Sequence, residues 1–154
     1  MKRNVWMAFL LATFLFASCG KSDTECVPAT VASEKAAMVA YCTANNITYT
    51  EHASGILYEV IAPGLVTQPT LTSTFSTVYT GKLLNNTQFD ASANPVSFLL
   101  SGVIKGWQIG IPLIKKGGRI KLVIPSSLAY GCNGSGSIPA NSPLFFEVSL
   151  TDVR

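Results

Sequence analysis

The chain predicts an α+β domain: an antiparallel sheet of several strands, one short helix near the middle of the sequence, and a separate helix ahead of the strands. Three observations carry this. Alternating apolar residues recur at Ile56-Tyr58-Val60, Phe75-Thr77-Tyr79, Ile120-Leu122-Ile124 and Leu144-Phe146-Val148-Leu150, and a period of two puts one face of each strand in a core. Asn85-Asn86 follows one such run as a hairpin signal, returning the chain antiparallel to itself. Val103-Ile104-Lys105-Gly106-Trp107 sets a large aromatic beside two β-branched residues where a helix begins, and Pro112 limits that helix to about Gly110.

At 154 residues, the chain suits one domain with a tail. Lys2 and Arg3 precede the apolar run Val5 to Ala17, which ends in small residues at Ala17-Ser18 and meets Cys19. Residues 1–18 therefore read as a secretion signal. The run is too short for a membrane span, which takes about 20 apolar residues. Phe16-Ala17-Ser18-Cys19 resembles the lipobox of bacterial lipoproteins, which implies acylation of Cys19 and a membrane attachment by lipid anchor alone. Each buried methylene of such chains contributes about 0.8 kcal/mol. The expected place is the bacterial cell envelope, on the outer membrane, with the domain in the periplasm or at the surface. Without residues 1–18 the formal charge falls from +3 to +1, nine basic against eight acidic side chains. A basic stripe that would track phosphates is then lacking, so nucleic acid is not expected as a partner. Lys115-Lys116 reads as a solvated turn.

With Cys19 lipidated, Cys26, Cys42 and Cys132 allow one intramolecular disulfide in three pairings. Spacing leaves them open; a bridge to Cys132 would staple the tail or the first helix to the glycine-rich loop, and Cys26–Cys132 is the preferred one. No C-x-x-C pair occurs and His52 is the sole histidine, so no metal site is expected.

Taken in order, residues 19–30 are small and polar and suit a flexible tether. Thr30 or Ser33 can cap a helix running to about Asn45, with Val31, Met38, Val39 and Cys42 on one face. It reads as a packing helix outside the main domain, with its connection filling residues 31–53. Strand Ile56–Ile61 stops at Pro63-Gly64, and Phe75–Tyr79 returns through Thr87–Asp90, setting Tyr79 and Phe89 on paired strands. Pro95–Leu100 reads as a further short strand. Between the last two strands, Pro125 to Pro143 carries Gly131, Gly134, Gly136 and Pro139 with no helical or strand period. Loops this long are usually functional or disordered. A phosphate loop is excluded, because no Lys-Ser or Lys-Thr follows the glycines and no helix starts there.

From about Ser54 to Arg154 the chain resembles the FKBP family of peptidyl-prolyl isomerases. The motifs are Tyr79-Thr80-Gly81-Lys82-Leu83, Phe89-Asp90-Ala91-Ser92, Val103-Ile104-Lys105-Gly106-Trp107, and Leu128-Ala129-Tyr130-Gly131 before Ile138-Pro139-Ala140-Asn141. The resemblance implies a twisted antiparallel sheet wrapped around one short helix, residues 54–154 being the isomerase domain. It implies a pocket formed by Tyr79, Phe89, Val96, Val103, Trp107, Ile138 and Phe146, with Trp107 under the substrate proline ring. Asp90, Tyr130 and the Ile104 backbone amide would be the catalytic groups, the last two bonding substrate carbonyls. It further implies peptidyl-prolyl cis-trans isomerisation of proline-containing polypeptides, no cofactor, and macrolide inhibitors as ligands.

Three departures bear on the pocket. Val96 stands where many family members have an aromatic, the stretch from Asp90 to Pro95 lacks the usual basic partner for Asp90, and Ser135 replaces a histidine found in several. They predict a more open pocket on that side. Two rival readings remain: a catalytically weak module that binds proline segments as a chaperone, and a structural lipoprotein whose pocket is filled.

Overall fold

Six strands form one antiparallel sheet, with burial concentrated on its three central strands. The computed structural model describes residues 26–154. The signal, Cys19 and most of the tether lie outside the described residues. The elements are α1 (Val31–Ala44), β1 (Thr50–Glu51), β2 (Leu57–Ala62), β3 (Thr74–Leu83), β4 (Gln88–Leu99), α2 (Lys105–Gly110), β5 (Arg119–Ile124) and β6 (Leu144–Val153). The sheet order is β1-β2-β5-β6-β3-β4, antiparallel at every pair.

Residues of one parity on β5 and β6, namely Ile120, Leu122, Ile124, Leu144, Phe146, Val148 and Leu150, enter the main core together with Phe75, Leu100, Trp107 and Ile111. Helix α2 lies over this face. Its approach is close: a Cβ at Gly110 would come within 2.7 Å of Leu122, and one at Gly106 would strike Ile124. Residues i and i+4 share a helix face, so the two glycines let α2 sit directly on β5. The other sheet face offers Leu57, Val123 and Phe145, which α1 covers with Met38, Tyr41 and Cys42. Helix α1 opens with a capping box, Thr30 and Ser33 each accepting the other's backbone N–H at 3.1 Å. Such a box satisfies two of the donors a helix start leaves unpaired.

Two expectations are corrected. Pro95–Leu100 is not a separate strand; Gln88–Leu99 runs unbroken as an edge strand. Register shifts fall between Thr77 and Tyr79 and between Gly81 and Lys82 of its partner β3, and an edge strand with a bulge accommodates Pro95, which donates no ladder hydrogen bond. The loop 125–143, read as patternless, holds two 3-10 turns, Ser126–Leu128 and Gly131–Asn133, and a bridge from Ser135 to Ile138. The preferred disulfide, Cys26–Cys132, is present with Cα atoms 5.5 Å apart, and Cys42 is a buried free thiol.

The Lys115-Lys116 turn is only partly free. Lys116 Nζ reaches Asp152 Oδ1 at 2.6 Å, and Arg154 Nε reaches Oδ2 at 2.8 Å. The Lys116 hydrogen bond first, then that of Arg154, lowers the Asp152 carboxyl from 3.8 to about 2. A depressed carboxylate adds stability that is complete above its unfolded value and is lost as pH falls through the folded one. We expect Asp152→Asn to flatten the loss of thermal stability between about pH 4 and pH 2, measured by calorimetry; an unchanged acid limb would remove Asp152 from that account.

Candidate functional site

An apolar cleft of about 310 Å³ opens between α2, the β3–β4 pair and the 125–143 loop. Trp107 is its floor. Its side chain is 4% exposed, held there because α2 is pressed onto β5. Three aromatic rings stand edge-on around it: Tyr79 and Phe146 with centroids at 5.2 Å and Phe98 at 6.0 Å, at interplanar angles of 87°, 79° and 90°. Edge-to-face pairs add about 0.5–1.5 kcal/mol each beyond burial. Phe89 leans on Phe146 at 5.5 Å, continuing the wall outward.

The polar groups sit at the rim. Tyr79 Oη donates to Asp90 Oδ2 at 2.7 Å, so the carboxylate lacking a basic partner is oriented by a phenol instead. Burial first, and then that hydrogen bond, push the Tyr79 hydroxyl up to about 12. It remains a donor throughout the range in which proteins function. Tyr130, 38% exposed, stands across the rim; burial and the Asp90 charge raise its hydroxyl as well. Ile104 is the N-cap of α2, and its carbonyl takes the first helical bonds, from Trp107 at 3.0 Å and Gln108 at 3.1 Å. Its own N–H precedes the helical ladder. Gln108 Nε2 donates to the Val103 carbonyl at 2.7 Å and to Ser101 at 3.2 Å, pinning the turn that aims this amide.

Of the residues expected at the site, Tyr79, Phe89, Asp90, Val103, Ile104, Trp107, Tyr130 and Phe146 line the cleft. Val96 and Ile138 do not. Val96 adjoins the β4 irregularity on the edge strand and is 38% exposed. Phe98, two residues on, lines the cleft and packs on Phe75, Tyr79 and Trp107. Phe98 is thus an aromatic of the wall in addition to those expected. Ile138 is 7% exposed within the main core, supporting the site from behind. The sequence reading missed Phe98, Gly102 and Gln108. Continuing the Val96–Phe98 alternation would have found the first; nothing local marks the other two.

A cleft with an indole floor, aromatic walls and a few rim donors fits a compact apolar ring whose flanking carbonyls stay at the edge, as in a prolyl peptide. Residues 66–151 match the family model of FKBP-type peptidyl-prolyl cis-trans isomerases, and the chain belongs to that family. The FKBP-type peptidyl-prolyl cis-trans isomerase FkpA of Escherichia coli K12 is 46% identical over 105 residues, covering 66% of this chain and 39% of that protein. A probable FKBP-type isomerase of Haemophilus influenzae is also 46% identical over 105 residues, 66% of this chain and 44% of its own. The chain thus spans about two-fifths of the length of these curated relatives. Among solved structures, the Escherichia coli FkpA crystal structure aligns with TM-score 0.72 and 40% identity, over 80% of this chain and 61% of that one. A Pseudomonas syringae peptidyl-prolyl cis-trans isomerase aligns with TM-score 0.69 and 32% identity, over 82% and 98%.

Tyr79→Phe should lower kcat/KM for a prolyl peptide by roughly fivefold, since a hydrogen bond to a charged group contributes about 1.5–3 kcal/mol and only part of it bears on the substrate. The melting temperature should fall by a few degrees at most, because the bond lies exposed at the rim. An unchanged rate would show that Asp90 needs no orienting donor.

Proposed function

We propose that this chain is a peptidyl-prolyl cis-trans isomerase that assists the folding of proline-containing polypeptides in the bacterial cell envelope, held to the membrane by lipid on Cys19. The observation that carries the reading is Trp107 walled edge-on by three aromatic rings beneath a rim bearing Asp90, Tyr130 and the Ile104 amide.

Resonance holds the peptide bond planar with a barrier of about 18–20 kcal/mol, and prolyl bonds exchange in tens to hundreds of seconds unaided. The planar amide is the more dipolar and better hydrated state. Moving it out of water into the cleft disfavours that state relative to the twisted one. The proline ring rests on Trp107, and the Ile104 amide and Tyr130 hydroxyl hold the flanking carbonyls, so that binding selects the rotated bond. Lowering the barrier by about 5–6 kcal/mol gives roughly ten-thousandfold acceleration. Neither a nucleophile nor a cofactor is required for a rotation. The same apolar cleft suits macrolide inhibitors.

With residues 1–18 removed, Trp107 is the remaining tryptophan of the two in the sequence. Its emission should shift when a prolyl peptide or a macrolide enters, and the protein should accelerate exchange of a proline tetrapeptide. Binding without acceleration would sink the enzymatic reading in favour of a proline-segment binding module. Radiolabelled fatty acid should label the wild type and not Cys19→Ala; equal labelling would remove the anchor from the proposal.

A further inference from the structure

The segment 26–34 precedes the stretch matched by the family model, 66–151, yet it makes three separate attachments to the loop that carries Tyr130. Glu34, 7% exposed on α1, holds Ser126 with both carboxylate oxygens: the Ser126 backbone N–H donates at 2.8 Å and its hydroxyl at 2.5 Å. Cys26 is bonded to Cys132, two residues beyond Tyr130. Asn141 joins the two regions. Its side chain accepts from the Ala29 N–H at 2.9 Å and donates to the Val27 carbonyl at 3.0 Å, while its backbone N–H donates to the Gly131 carbonyl at 2.8 Å.

These attachments bracket Tyr130 at Ser126 on one side and at Gly131 and Cys132 on the other. Between them the chain has only 3-10 turns of three residues each, and the Tyr130 side chain is 38% exposed. Local structure of that kind fixes a hydroxyl weakly. A hydrogen bond fades steeply beyond about 3.2 Å, and a catalytic group displaced by about 1 Å can cost up to a hundredfold in rate.

We propose that residues 26–34 form a positioning strap for Tyr130, with Glu34, Asn141 and the Cys26–Cys132 bridge as its positioning residues. The inference rests on the isomerase reading above and extends the site to a segment remote from it in sequence. A strap that acted on stability alone would lower the melting temperature and leave the folded enzyme's rate unchanged. A positioning strap ties its effect to Tyr130: once the strap is gone the hydroxyl is already misplaced, and removing it costs little more.

The test is a set of double-mutant cycles on the full, oxidised chain, assayed with a proline tetrapeptide well below the melting point of every variant. Tyr130→Phe alone should lower kcat/KM roughly fivefold, the equivalent of one hydrogen bond. Glu34→Ala, and Cys26→Ser with Cys132→Ser, should each lower it by about threefold to fivefold, no more than loss of the hydroxyl itself. In those backgrounds Tyr130→Phe should cost less than about twofold. Folded strap variants with wild-type kcat/KM, or with the full Tyr130→Phe penalty, would overturn the proposal.

If Glu34→Ala does not fold, the same comparison uses wild type treated with dithiothreitol. The dithiol passes two electrons and two protons to the bridge, leaving two cysteine thiols and its own cyclic disulfide. Cys42 does not interfere, being fully buried with its thiol pushed up to about 11 by that burial. An inactive oxidised wild type would fail the isomerase reading instead. The strap is then read from hydrogen exchange of the Ala129 to Gly131 amides, which should quicken at least tenfold on reduction if the strap holds them; unchanged exchange would overturn it.

Discussion

Trp107→Ala should lower kcat/KM for a prolyl peptide by on the order of a hundredfold, the equivalent of about 2.7 kcal/mol of barrier, and cost about 3–5 kcal/mol of stability. Both effects come from one side chain with two neighbours to satisfy. Below, the indole is 4% exposed and joins a cluster with Phe75, Leu122 and Ile124, so truncation leaves a void that a sheet and a glycine-packed helix cannot close. Above, it is the surface on which the ring rests, and its loss admits water beneath the amide. Trp107→Phe separates the two. The indole Nε1 is buried without a hydrogen-bond partner among the described residues, and phenylalanine removes that uncompensated donor while keeping an aromatic floor. Phenylalanine should therefore retain most of the stability and lose roughly tenfold in rate, the smaller floor making fewer contacts. Peptide-exchange kinetics with denaturant unfolding distinguishes the outcomes; full activity in Trp107→Ala would dismiss the floor assignment.

Reduction of Cys26–Cys132 should lower the melting temperature by about 15 °C. The bridge closes a separation of 106 residues, and in the chain-entropy account a loop of about that length contributes between 4 and 5 kcal/mol by constraining the unfolded chain. Unfolding entropy of about 2.1 cal/mol/K per residue converts this into the stated shift for a domain of this size. Calorimetry with and without dithiothreitol measures it, with Cys26→Ser/Cys132→Ser as the control. A shift under about 3 °C would overturn the chain-entropy account of this bridge.

The strands and α2 were legible because their signals are local. Alternation on β3, β5 and β6 follows from burial of one sheet face, and Pro112 just past Gly110 limits the helix. Eight of the expected pocket residues converge because the motifs that carry them fall on neighbouring strands and on α2. What misled was also local. Val96 was placed by position in a motif, whereas the irregularity beside Tyr79 decides which residue of β4 reaches inward, and register belongs to a strand pair rather than to one strand. Pro95 suggested a boundary, but on an edge strand its missing N–H costs no ladder bond.

Helix α1 shows the division most clearly. Its spacing of Met38 and Cys42 identified an apolar face, and that face does pack on the sheet. Glu34 lies on the same buried side, and no periodicity indicates that a carboxylate there meets Ser126, 92 residues away. Hydrophobic pattern, turn chemistry and motif spacing by themselves determined the fold class, the family resemblance and the indole at the centre of the site. Tertiary structure alone decided that Tyr79 orients Asp90, and that Glu34 and Asn141 grip the Tyr130 loop. Burial is written into each element's own sequence, whereas a polar contact depends on two distant residues arriving within about 3 Å of each other, which only the folded chain settles.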